Sequence, residues 1–568
     1  MENKRVIFLF ILTILGFFLL FYRAFQIQVL NWKDYRLEVQ DLSTRIYINE
    51  AKRGNIYDRN GELIAWNEKL YQIYNNSDEI VQEDEEKIRK ILSKTDLDVD
   101  YVIDRLNFQK NVILKISSTT SKKLSEIKNF IITEKYVRKY ADNSLYHILG
   151  YVDNEGLARS GLEKVWNDKL IGKQGYKLVT ITPSGKVKAV IEDTKSIAGN
   201  DIYTTLDIRL QKEVYNYFEK HNYKGSVIIS DPENGDIVAM VSYPSPDPNA
   251  FSQGLSTLEF RKILNDSKKP LINRSIGASY FPGSLIKPFI AYSALEYGIS
   301  PDATINSTGR YDVYNSKGTR IASFYDWNYA GHGITDMRKS LRVSANSYYY
   351  WLGETIEIDY MKGMANYFKL DKKTGIEIPG EKEGLFPNQE WKKETYDTIW
   401  YPGETILAYI GQGYVQLTPI ELLRFYNILA ENGKYFKFNL LKETKNIYGQ
   451  IVEKNEPVLI DDYDLNKEFS NVIKNGMIDV TSYPGDSRTE GTAYKGFKDF
   501  DTTVAGKTGT AEVGGNQKSH GWFAGYLPAE NPRYSMIVLV ENGGYGPDIA
   551  VPFARHISDF ITHELVQK

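Results

Sequence analysis

The chain of 568 residues contains no cysteine. It therefore has no thiol nucleophile, no disulfide framework and no lipid anchor attached through a cysteine. An excess of charge of one sign is also missing, because 70 Lys and Arg residues are balanced by 73 Asp and Glu residues. Without a basic stripe or a zinc-finger spacing, the sequence does not favour nucleic acid as a partner. A hydrophobic content of 42% excludes a disordered protein, and the length allows two or three domains.

One long uncharged run is present, from Val6 to Tyr22, and it follows a short basic start. At about 1.5 Å per helical residue this run spans roughly 26 Å, close to the thickness of the hydrocarbon core of a membrane. A cleaved signal peptide is the alternative, but the run lacks a small-residue cleavage site and exceeds a usual signal core. We expect residues 1–5 to form a cytoplasmic tail and residues 6–22 a transmembrane anchor, with the rest of the chain outside the cytoplasm.

The pattern Ser-x-x-Lys occurs twice, as Ser284 to Lys287 and as Ser125 to Lys128. Ser284 follows a Pro-Gly pair and precedes a small, apolar run that ends at Gly298, which predicts a buried helix starting near Ser284. Residues three apart lie on one helical face, so we expect Lys287 to reach the Ser284 hydroxyl. The helix N-terminus would also favour a developing alkoxide. The copy at Ser125 lies in a strongly charged stretch, which indicates a solvated helix face.

The pattern Lys-Thr-Gly also occurs twice. The copy that begins at Lys507 lies in a segment rich in β-branched residues, and two strand-like runs follow it, at 521–526 and 534–540, so we expect it on a sheet. The copy at 373–375 follows a helical stretch, and its glycine is predicted to end a helix or to form a turn. A phosphate-binding loop ending at Lys507 is excluded, because it needs glycine where Asp501 stands.

Between these two patterns the chain carries Ser344-Ala-Asn346. Ser-x-x-Lys, Ser-x-Asn and Lys-Thr-Gly in this order resemble the penicillin-recognising serine transferases. Further segments are similar to class B penicillin-binding proteins along the whole chain, and these are Arg53–Gly61, Gly150–Tyr151, Gly161–Glu163, Gly225–Pro232, Asn273–Arg274, Gly411–Tyr414 and Thr418–Pro419. Within that family the elongation-type subgroup is the most similar, ahead of the division type, on the segments Tyr325–Gly333, Gly375–Gly380 and Trp400–Glu404.

The chain is expected to fold as two domains after the anchor. Residues 31–199 mix strand-like pieces such as Ser43–Ile48 with charged helical stretches such as Glu83–Lys94. The resemblance implies that they form a pedestal of the penicillin-binding protein dimerisation type, which touches a partner glycosyltransferase; a stiff stalk without a partner is an equal alternative. Residues 200–568 are predicted to form the transpeptidase domain, an α+β fold with a mostly antiparallel sheet flanked by helices and a hairpin at 227–241.

Four residues are predicted to carry the catalysis. Ser284 would attack the carbonyl of a terminal D-Ala-D-Ala bond and form an ester, which an amine from a neighbouring stem peptide then resolves. Lys287 must be neutral to accept the serine proton, and we expect burial and the second cation, Lys507, to lower its pKa. Ser344 would pass a proton between the two lysines and the leaving nitrogen.

Four further residues are predicted to bind the substrate. The Asn346 amide would hold the peptide or Lys287, in keeping with the family pattern. The hydroxyls of Thr508 and Thr510, with Gly509 between them, suit the terminal carboxylate of the donor. The resemblance also implies an oxyanion hole formed by the backbone N–H groups of Ser284 and Thr510.

Four more residues attract attention. Asp326 and His332 lie in a Gly-rich segment near which some penicillin-binding proteins of the resembled type hold a metal with the help of a cysteine. With only two plausible ligands and no cysteine, we predict a structural histidine, with no metal and no cofactor. Arg274 is predicted to brace the active site through a salt bridge. His520 either lines the cleft or caps a strand.

The sequence thus predicts a peptidoglycan D,D-transpeptidase that cross-links stem peptides during cell-wall elongation and is a target of β-lactams. A D,D-carboxypeptidase or β-lactamase and an inactive scaffold are the alternatives, although a hydrolase has no need of an anchor and a pedestal. Because the chain has no glycosyltransferase-like segment, we expect it to work with a multispanning membrane glycosyltransferase (RodA-like) and other elongation proteins. The expected location is the cytoplasmic membrane, with the catalytic domain facing the periplasm or the cell exterior.

Overall fold

The structure is a computed structural model that describes residues 2–31, 33, 44–77, 79–182 and 187–565, with side chains from residue 7 onward. Met1, Ser43 and residues 566–568, which belong to segments predicted above, lie outside the described residues. The chain divides into two compact units. The smaller unit comprises Met1–Arg53, Asn67–Val137 and Ile171–Gly199, and the larger comprises Gly54–Trp66, Arg138–Leu170 and Asn200–Lys568.

The two units are discontinuous in sequence. The last segment of the smaller unit ends at Gly199, and two segments from the predicted pedestal range belong to the larger unit. Long-range pairing explains this. Inside the larger unit Arg138 is bonded to Glu163 at 2.6 Å and donates to the Gly54 carbonyl oxygen at 2.8 Å. Ile56 also pairs in parallel with Ile202.

The N-terminal helix α1 (Glu2–Phe25) continues as a π-helical turn, Gln26–Leu30. Among the described residues it is the one helix long and apolar enough to cross a membrane, over Ile7–Leu30. Its apolar side chains are exposed. The apolar segment extends beyond residue 22, where we predicted the anchor to end, because the helix continues through Arg23. The long side chain of Arg23 can hold its charge away from an apolar surface.

The smaller unit combines a sheet with a helical cluster. The sheet has three antiparallel strands, with Gly175–Ile181 between Thr44–Asn49 and Val187–Thr194. Residues 71–74 of the strand Leu63–Asn75 pair with Asn111–Leu114. An apolar core joins this pair to the strand Phe130–Tyr140 and to three helices, which are Gln82–Leu92, Val99–Phe108 and Ser118–Ser125.

The larger unit is built on a five-stranded antiparallel sheet. Its strands are β1 (Gly225–Ser230), β2 (Ile237–Tyr243), β3 (Ala505–Ala511), β4 (His520–Leu527) and β5 (Tyr534–Val540), in the order β2-β1-β5-β4-β3. The predicted hairpin corresponds to β1 and β2, and the three predicted C-terminal strands are present. Strand β3, which carries the Lys-Thr-Gly pattern, is therefore at an edge of the sheet.

Both faces of this sheet are buried. Along β5 the side chains alternate, so that Val538 packs in one apolar cluster and Ile537 in the other. Helices α2 (Ile208–His221) and α8 (Gly546–Phe560) cover the first face. Helices of the sequence between β2 and β3 cover the second face, and they include α3 (Lys287–Tyr297), α4 (Met337–Arg342), α5 (Asn346–Thr355), α6 (Pro419–Ala430) and α7 (Lys467–Ser482). This arrangement confirms the predicted α+β class.

Smaller elements complete the larger unit. Its other strands are Ile56–Tyr57, the start of Leu63–Asn75, Asp201–Thr204, Ile305–Ser307, Arg310–Tyr314, Arg320–Tyr325, Gly333–Thr335, Lys434–Phe436, Leu441–Lys445, Ile451–Lys454 and Leu459–Asp462. Its other α-helices are Tyr146–Leu149, Gly161–Val165, Asn167–Leu170, Pro248–Gln253, Thr257–Leu264, Ile358–Tyr367, Gln389–Tyr396, Pro402–Ala408 and Tyr494–Phe497. Two 3-10 turns, Asn143–Leu145 and Gly283–Ile286, and a π-helical end, Ile561–Leu565, are also present.

Candidate active site

Ser284 lies in the 3-10 turn that leads into α3. The α-helix itself begins at Lys287, three residues later than predicted, because the preceding residues make the tighter turn. Gly283 has a φ of +52°, and a methyl group built on it would lie 2.6 Å from the Thr510 carbonyl oxygen. Only glycine allows this close approach of the turn to strand β3. Ser284 is half-buried and lines a cleft.

The Lys287 amine is fully buried and points to the segment between α4 and α5. Its Nζ atom donates to the Ser344 carbonyl oxygen at 2.8 Å and to Asn346 Oδ1 at 2.7 Å, and it lies 3.3 Å from Ser344 Oγ. In the described part of the chain no hydrogen bond joins Lys287 to Ser284, so proton transfer between them stays a prediction. A lysine ammonium group can donate three hydrogen bonds, and two of those of Lys287 go to the Ser344 carbonyl oxygen and to Asn346.

Burial lowers the pKa of Lys287 to about 7, while the nearby Asp326 carboxylate acts in the opposite direction. The amine also lies 4.9 Å from the centre of the Tyr349 ring. This environment makes a neutral amine accessible at physiological pH, which is the state that a general base requires. Burial therefore lowers the pKa of Lys287, as we expected.

Ser344 occupies the turn between α4 and α5 and is 5% exposed. Its φ of 55° places a non-glycine residue in the left-handed region, a conformation that costs on the order of 1–3 kcal/mol and is typical of functional sites. In this conformation Ser344 Oγ accepts a hydrogen bond of 2.8 Å from Lys507 Nζ. One hydroxyl therefore lies within reach of both buried amines.

Lys507 is fully buried on strand β3, and its amine also donates to the Thr508 carbonyl oxygen at 3.1 Å. Burial, with repulsion from the Lys287 amine in second place, holds the pKa of Lys507 well below its usual range. The repulsion that we expected to lower the pKa of Lys287 thus lowers the pKa of Lys507 instead. Two neighbouring buried amines disfavour being charged together, so the pair can exchange a single proton.

The next three residues of β3 form the wall of the cleft. Thr508 Oγ1 lies 2.7 Å from Thr492 Oγ1, and Thr510 Oγ1 accepts a hydrogen bond of 3.0 Å from the Gly546 backbone N–H. A methyl group built on Gly509 would lie 3.1 Å from Leu285 Cγ, so the missing side chain lets β3 pack closely on the turn that carries Ser284.

A cleft of about 480 Å³ joins these groups. All four predicted substrate-binding residues line it, together with Ser284 and Ser344, whereas both lysines are buried. Sequence reasoning missed the other residues that line the cleft or contact the lysines. Trp327, Tyr329 and Gln412 lie in segments that resemble the family but were given no role. The others belong to no quoted segment, and they include Tyr349, Tyr350, Thr492, Glu512 and Tyr545.

The duplicate patterns lie elsewhere. Ser125 is the last residue of its helix and donates its hydroxyl to the Lys122 carbonyl oxygen, and Lys128 is exposed. The second Lys-Thr-Gly forms a turn in which Gly375 has a φ of +76° and the Thr374 hydroxyl donates to Glu381 at 2.6 Å. Neither copy lines the cleft, as the context of each had indicated.

Asp326 and His332 form a buried pair next to the cleft. Asp326 Oδ2 accepts hydrogen bonds from the Ser347 backbone N–H at 2.9 Å and from its hydroxyl at 2.5 Å, in the first turn of α5. His332 Nε2 lies 3.4 Å from Asp326 Oδ1. Burial raises the pKa of Asp326, but His332 and Ser347 together hold it below its usual range. Among the described residues no three His, Cys, Asp or Glu side chains are placed to hold a metal ion, so the pair does not fit a zinc site.

Arg274 and His520 flank the site. Arg274 is 2% exposed and donates from Nε to Glu541 Oε1 at 2.8 Å. Tyr280 and Lys224 bind the same carboxylate, so this salt bridge holds the segment before Ser284 against the end of β5. His520 Nδ1 accepts a hydrogen bond of 3.0 Å from the Asn542 backbone N–H, and burial lowers its pKa.

Two families match the chain. The family described as penicillin binding protein transpeptidase domain matches residues 225–559, and the family described as Penicillin-binding Protein dimerisation domain matches residues 48–204. The chain therefore belongs to the penicillin-binding protein transpeptidases.

Full-length relatives refine this assignment. The chain is 32% identical to the peptidoglycan D,D-transpeptidase MrdA of Haemophilus influenzae, over 99% of this chain and 92% of the relative. It is similar to PBP2 in the structure of a complex between PBP2 and MreC from Helicobacter pylori, with 29% identity and a TM-score of 0.73 over 92% of this chain and 100% of that chain. These matches confirm the predicted resemblance to class B proteins of the PBP2 type.

A third similarity covers the apolar helix as well. A chain of a structure described as structural coordination of polymerization and crosslinking by a peptidoglycan synthase complex is 26% identical, with a TM-score of 0.72 over 98% of this chain and 97% of that chain. Membership of this group and the single apolar helix agree with a membrane-anchored penicillin-binding protein.

Proposed function

We propose that this chain is a peptidoglycan D,D-transpeptidase of cell-wall elongation in which Ser284 is the nucleophile. The enzyme class and the elongation role agree with the full-length MrdA and PBP2 relatives, and the division-type and hydrolase alternatives are not favoured. The observation that carries the residue roles is the position of Ser344 Oγ, 2.8 Å from Lys507 Nζ and 3.3 Å from Lys287 Nζ, at the cleft that Ser284 lines.

In the first half-reaction the neutral Lys287 amine takes the proton of Ser284 as its oxygen attacks the carbonyl of the D-Ala-D-Ala bond. Backbone N–H groups of Ser284 and Thr510 are assigned to the oxyanion, and such a donor is typically worth about 10²–10³ in rate. The proton then passes through the Ser344 hydroxyl to the leaving nitrogen, and Lys507 supplies the neighbouring positive charge. D-Alanine leaves, and the donor peptide remains as an ester on Ser284.

The second half-reaction uses the same groups in reverse. A neutral amine of an acceptor stem peptide attacks the ester carbonyl, its proton passes to the Ser344 and lysine network, and Ser284 regains its own proton as the new amide forms. The donor carboxylate is assigned to the hydroxyls of Thr508 and Thr510, with Gly509 allowing the close approach of the strand. Asn346 holds Lys287 through its amide oxygen and leaves its N–H₂ group for the substrate peptide.

The membrane and the partners follow from the anchor and from the relatives. The apolar helix is assigned as an uncleaved anchor in the cytoplasmic membrane, with the larger unit facing the periplasm or the cell exterior. H. pylori PBP2 forms a complex with MreC, and another similar chain belongs to a peptidoglycan synthase complex. These descriptions support elongation proteins, among them an MreC-like protein, as partners of this chain. A RodA-like multispanning glycosyltransferase is proposed as a further partner, because the sequence shows no glycosyltransferase-like segment. Stem peptides are the substrates, and β-lactams acylate the same serine.

Labelling with a fluorescent penicillin tests the nucleophile. We expect Ser284→Ala to abolish the covalent adduct, because the reacting oxygen is removed, while Ser125→Ala keeps it. Intact-protein mass spectrometry measures the adduct, and incubation with stem-peptide substrates separates cross-linked dimers from trimmed monomers. An adduct that survives in Ser284→Ala would refute the assignment, and trimmed peptides without dimers would favour the hydrolase.

Site-directed cysteine labelling tests the orientation in the membrane. The natural chain has no cysteine, so each introduced thiol is unique. In intact spheroplasts a membrane-impermeant maleimide should label Lys317→Cys, whose position is exposed on the larger unit, and should not label Asn3→Cys until the membrane is opened. The reverse pattern would contradict the proposed orientation.

A further inference from the structure

We propose that Thr492 is a positioning residue for the carboxylate of the donor peptide and of β-lactams, acting through the Thr508 hydroxyl. This inference rests on the proposed function. Thr492 stands outside the three motifs, between α7 and β3, and it is half-buried in the wall of the cleft.

The Thr508 hydroxyl lies beside the Thr492 hydroxyl. Its Oγ1 atom is 2.7 Å from Thr492 Oγ1, so one of these hydroxyls donates to the other. Each hydroxyl has one proton and two acceptor lone pairs. If Thr508 donated to Thr492, its own proton would be used and it would meet a carboxylate with lone pairs alone. If Thr492 donates, the Thr508 proton is free to point into the cleft.

The neighbouring threonine shows the same arrangement with a different donor. Thr510 Oγ1 accepts from the Gly546 backbone N–H at 3.0 Å, which leaves the Thr510 proton for the cleft. Gly546 is the first residue of α8, so this N–H belongs to a helix N-terminus, which favours a nearby anion. Thr492 therefore does for Thr508 what Gly546 does for Thr510, and both hydroxyls can donate to one carboxylate together.

Backbone contacts hold Thr492 in place. Its N–H donates to the carbonyl oxygen of Arg342, the last residue of α4, at 3.2 Å. The preceding Gly491 has no room for a side chain, because a methyl group there would lie 2.2 Å from the Asp479 carbonyl oxygen. The hydroxyl of Thr492 is thus fixed relative to the Ser344 turn as well as to β3.

A bound carboxylate would favour the orientation in which the Thr492 hydroxyl donates to the Thr508 hydroxyl. With Thr492 donating to Thr508 and Thr508 donating to the carboxylate, each hydrogen bond polarises the next and strengthens it. A hydrogen bond to an ionised acceptor is also stronger than a neutral one. Removing the Thr492 hydroxyl leaves Thr508 without its donor and weakens its bond to the carboxylate.

The test compares benzylpenicillin with its methyl ester, which lacks the negative charge. We expect Thr492→Val to lower the second-order rate of Ser284 acylation by benzylpenicillin about tenfold, in line with one lost hydrogen bond in a charged network, and to leave the rate with the ester unchanged. Thr492→Ser keeps the hydroxyl and should retain the preference for the carboxylate. Thr503→Val, a threonine bonded to Glu530 outside the cleft, is the matched control and should behave as the wild type.

The fate of the carboxylate gives a second readout. In the peptide reaction the carboxylate leaves with D-alanine, so Thr492→Val should slow acylation and spare the second half-reaction. In the penicilloyl-enzyme the carboxylate stays attached, so the lifetime of that adduct should change as well.

Two results would overturn the role of Thr492. One is an equal fall with benzylpenicillin and its ester, which would indicate damage to the site as a whole. The other is an unchanged preference for the carboxylate in Thr492→Val. Both presuppose that the wild-type chain acylates Ser284; a wild-type chain that forms no adduct would instead refute the proposed function.

Discussion

Ser344 Oγ accepts a hydrogen bond from Lys507 Nζ at 2.8 Å, and Lys287 Nζ lies 3.3 Å from the same oxygen. Both lysines are fully buried, and each disfavours a charge on the other. A hydroxyl between two such amines can accept a proton from one and donate to the other. The bridge therefore links proton uptake at Ser284 to proton delivery at the leaving nitrogen, although Ser284 makes no direct bond to Lys287 in the described chain.

Removing this hydroxyl should slow acylation strongly. We expect Ser344→Gly and Ser344→Ala both to lower the acylation rate by about 10²-fold or more, the usual scale for loss of a proton-transfer group. Stopped-flow measurement with a fluorescent penicillin gives the rate. Alanine keeps a Cβ atom at the φ of 55°, as serine does, whereas glycine relieves the strain, so a loss shared by both variants is due to the hydroxyl and not to the backbone. A Ser344→Gly variant with wild-type rate would contradict the relay.

The acylation rate should depend on the protonation of Lys287. Because the pKa of this lysine is lowered to about 7, the rate should rise with pH below about 7 and level off above it. A pH profile of the second-order acylation rate from pH 5 to 9 checks this. A profile with no inflection near 7 would show that another group limits proton transfer.

The free energy of unfolding should depend on pH through the protonation of Lys287. The folded chain releases the Lys287 proton near pH 7, whereas the unfolded chain keeps it up to the ordinary lysine pKa of about 10.4. Since the unfolded state binds more protons in this window, the free energy of unfolding should rise with pH there. Thermal denaturation at pH 7 and pH 9.5 should show a smaller gain in Lys287→Met than in the wild type, because only the buried Lys507 amine still contributes in the variant.

Close packing of the Ser284 turn on β3 should be sensitive to a single methyl group. In Gly283→Ala the new methyl would meet the Thr510 carbonyl oxygen at 2.6 Å, so we expect slower acylation and a lower melting temperature. Gly318→Ala is the matched control, because Gly318 also has a positive φ, of +76°, but has open space around it. Equal losses of acylation in the two variants would show that backbone strain alone, and not the contact with β3, is responsible.

The Glu541 carboxylate should be important for stability. Burial raises its pKa, but Arg274, Lys224 and Tyr280 outweigh burial and hold the pKa below its usual range. Glu541→Gln leaves the Arg274 guanidinium buried without its charge partner, which typically costs about 3–5 kcal/mol. Because the pKa is depressed, this contribution should be present near neutral pH and be lost as pH falls below about 4.3. Denaturation at pH 7 and pH 4 measures both effects, and a Glu541→Gln chain as stable as the wild type at pH 7 would refute the argument.

Local patterns were sufficient for much of the fold. A run rich in β-branched residues predicted β3, two strand-like runs predicted β4 and β5, and the turn-prone residues between β1 and β2 predicted their hairpin. Sequence context also separated the two Ser-x-x-Lys copies and the two Lys-Thr-Gly copies, because a charged exposed face and a buried helix differ in composition. These features depend on residues close together in the chain, which a sequence shows directly.

The other features of the fold and of the site depend on contacts between residues that are far apart in the chain. Thr492 contacts Thr508, Tyr349 packs on Lys287, and Glu541 binds Arg274, and no motif connects the partners. The hydrogen bonds of Lys287 to Ser344 and Asn346 likewise join residues that are far apart in the chain. The assignment of Gly54–Trp66 and Arg138–Leu170 to the larger unit has the same origin.

The discontinuous sequence of the larger unit affects how the chain folds during its synthesis. The strand at Ile56–Tyr57 pairs on one side with Leu63–Asn75. On its other side it pairs with Asp201–Thr204, which in turn pairs with Leu441–Lys445, so one edge of this early strand waits for residues made much later. At about 5–20 residues per second, this delay lasts tens of seconds on the ribosome. During that interval the nascent segment exposes unpaired backbone and the apolar side chain of Ile56. The order in which the strands are synthesised therefore differs from the order in which they lie in the folded sheet.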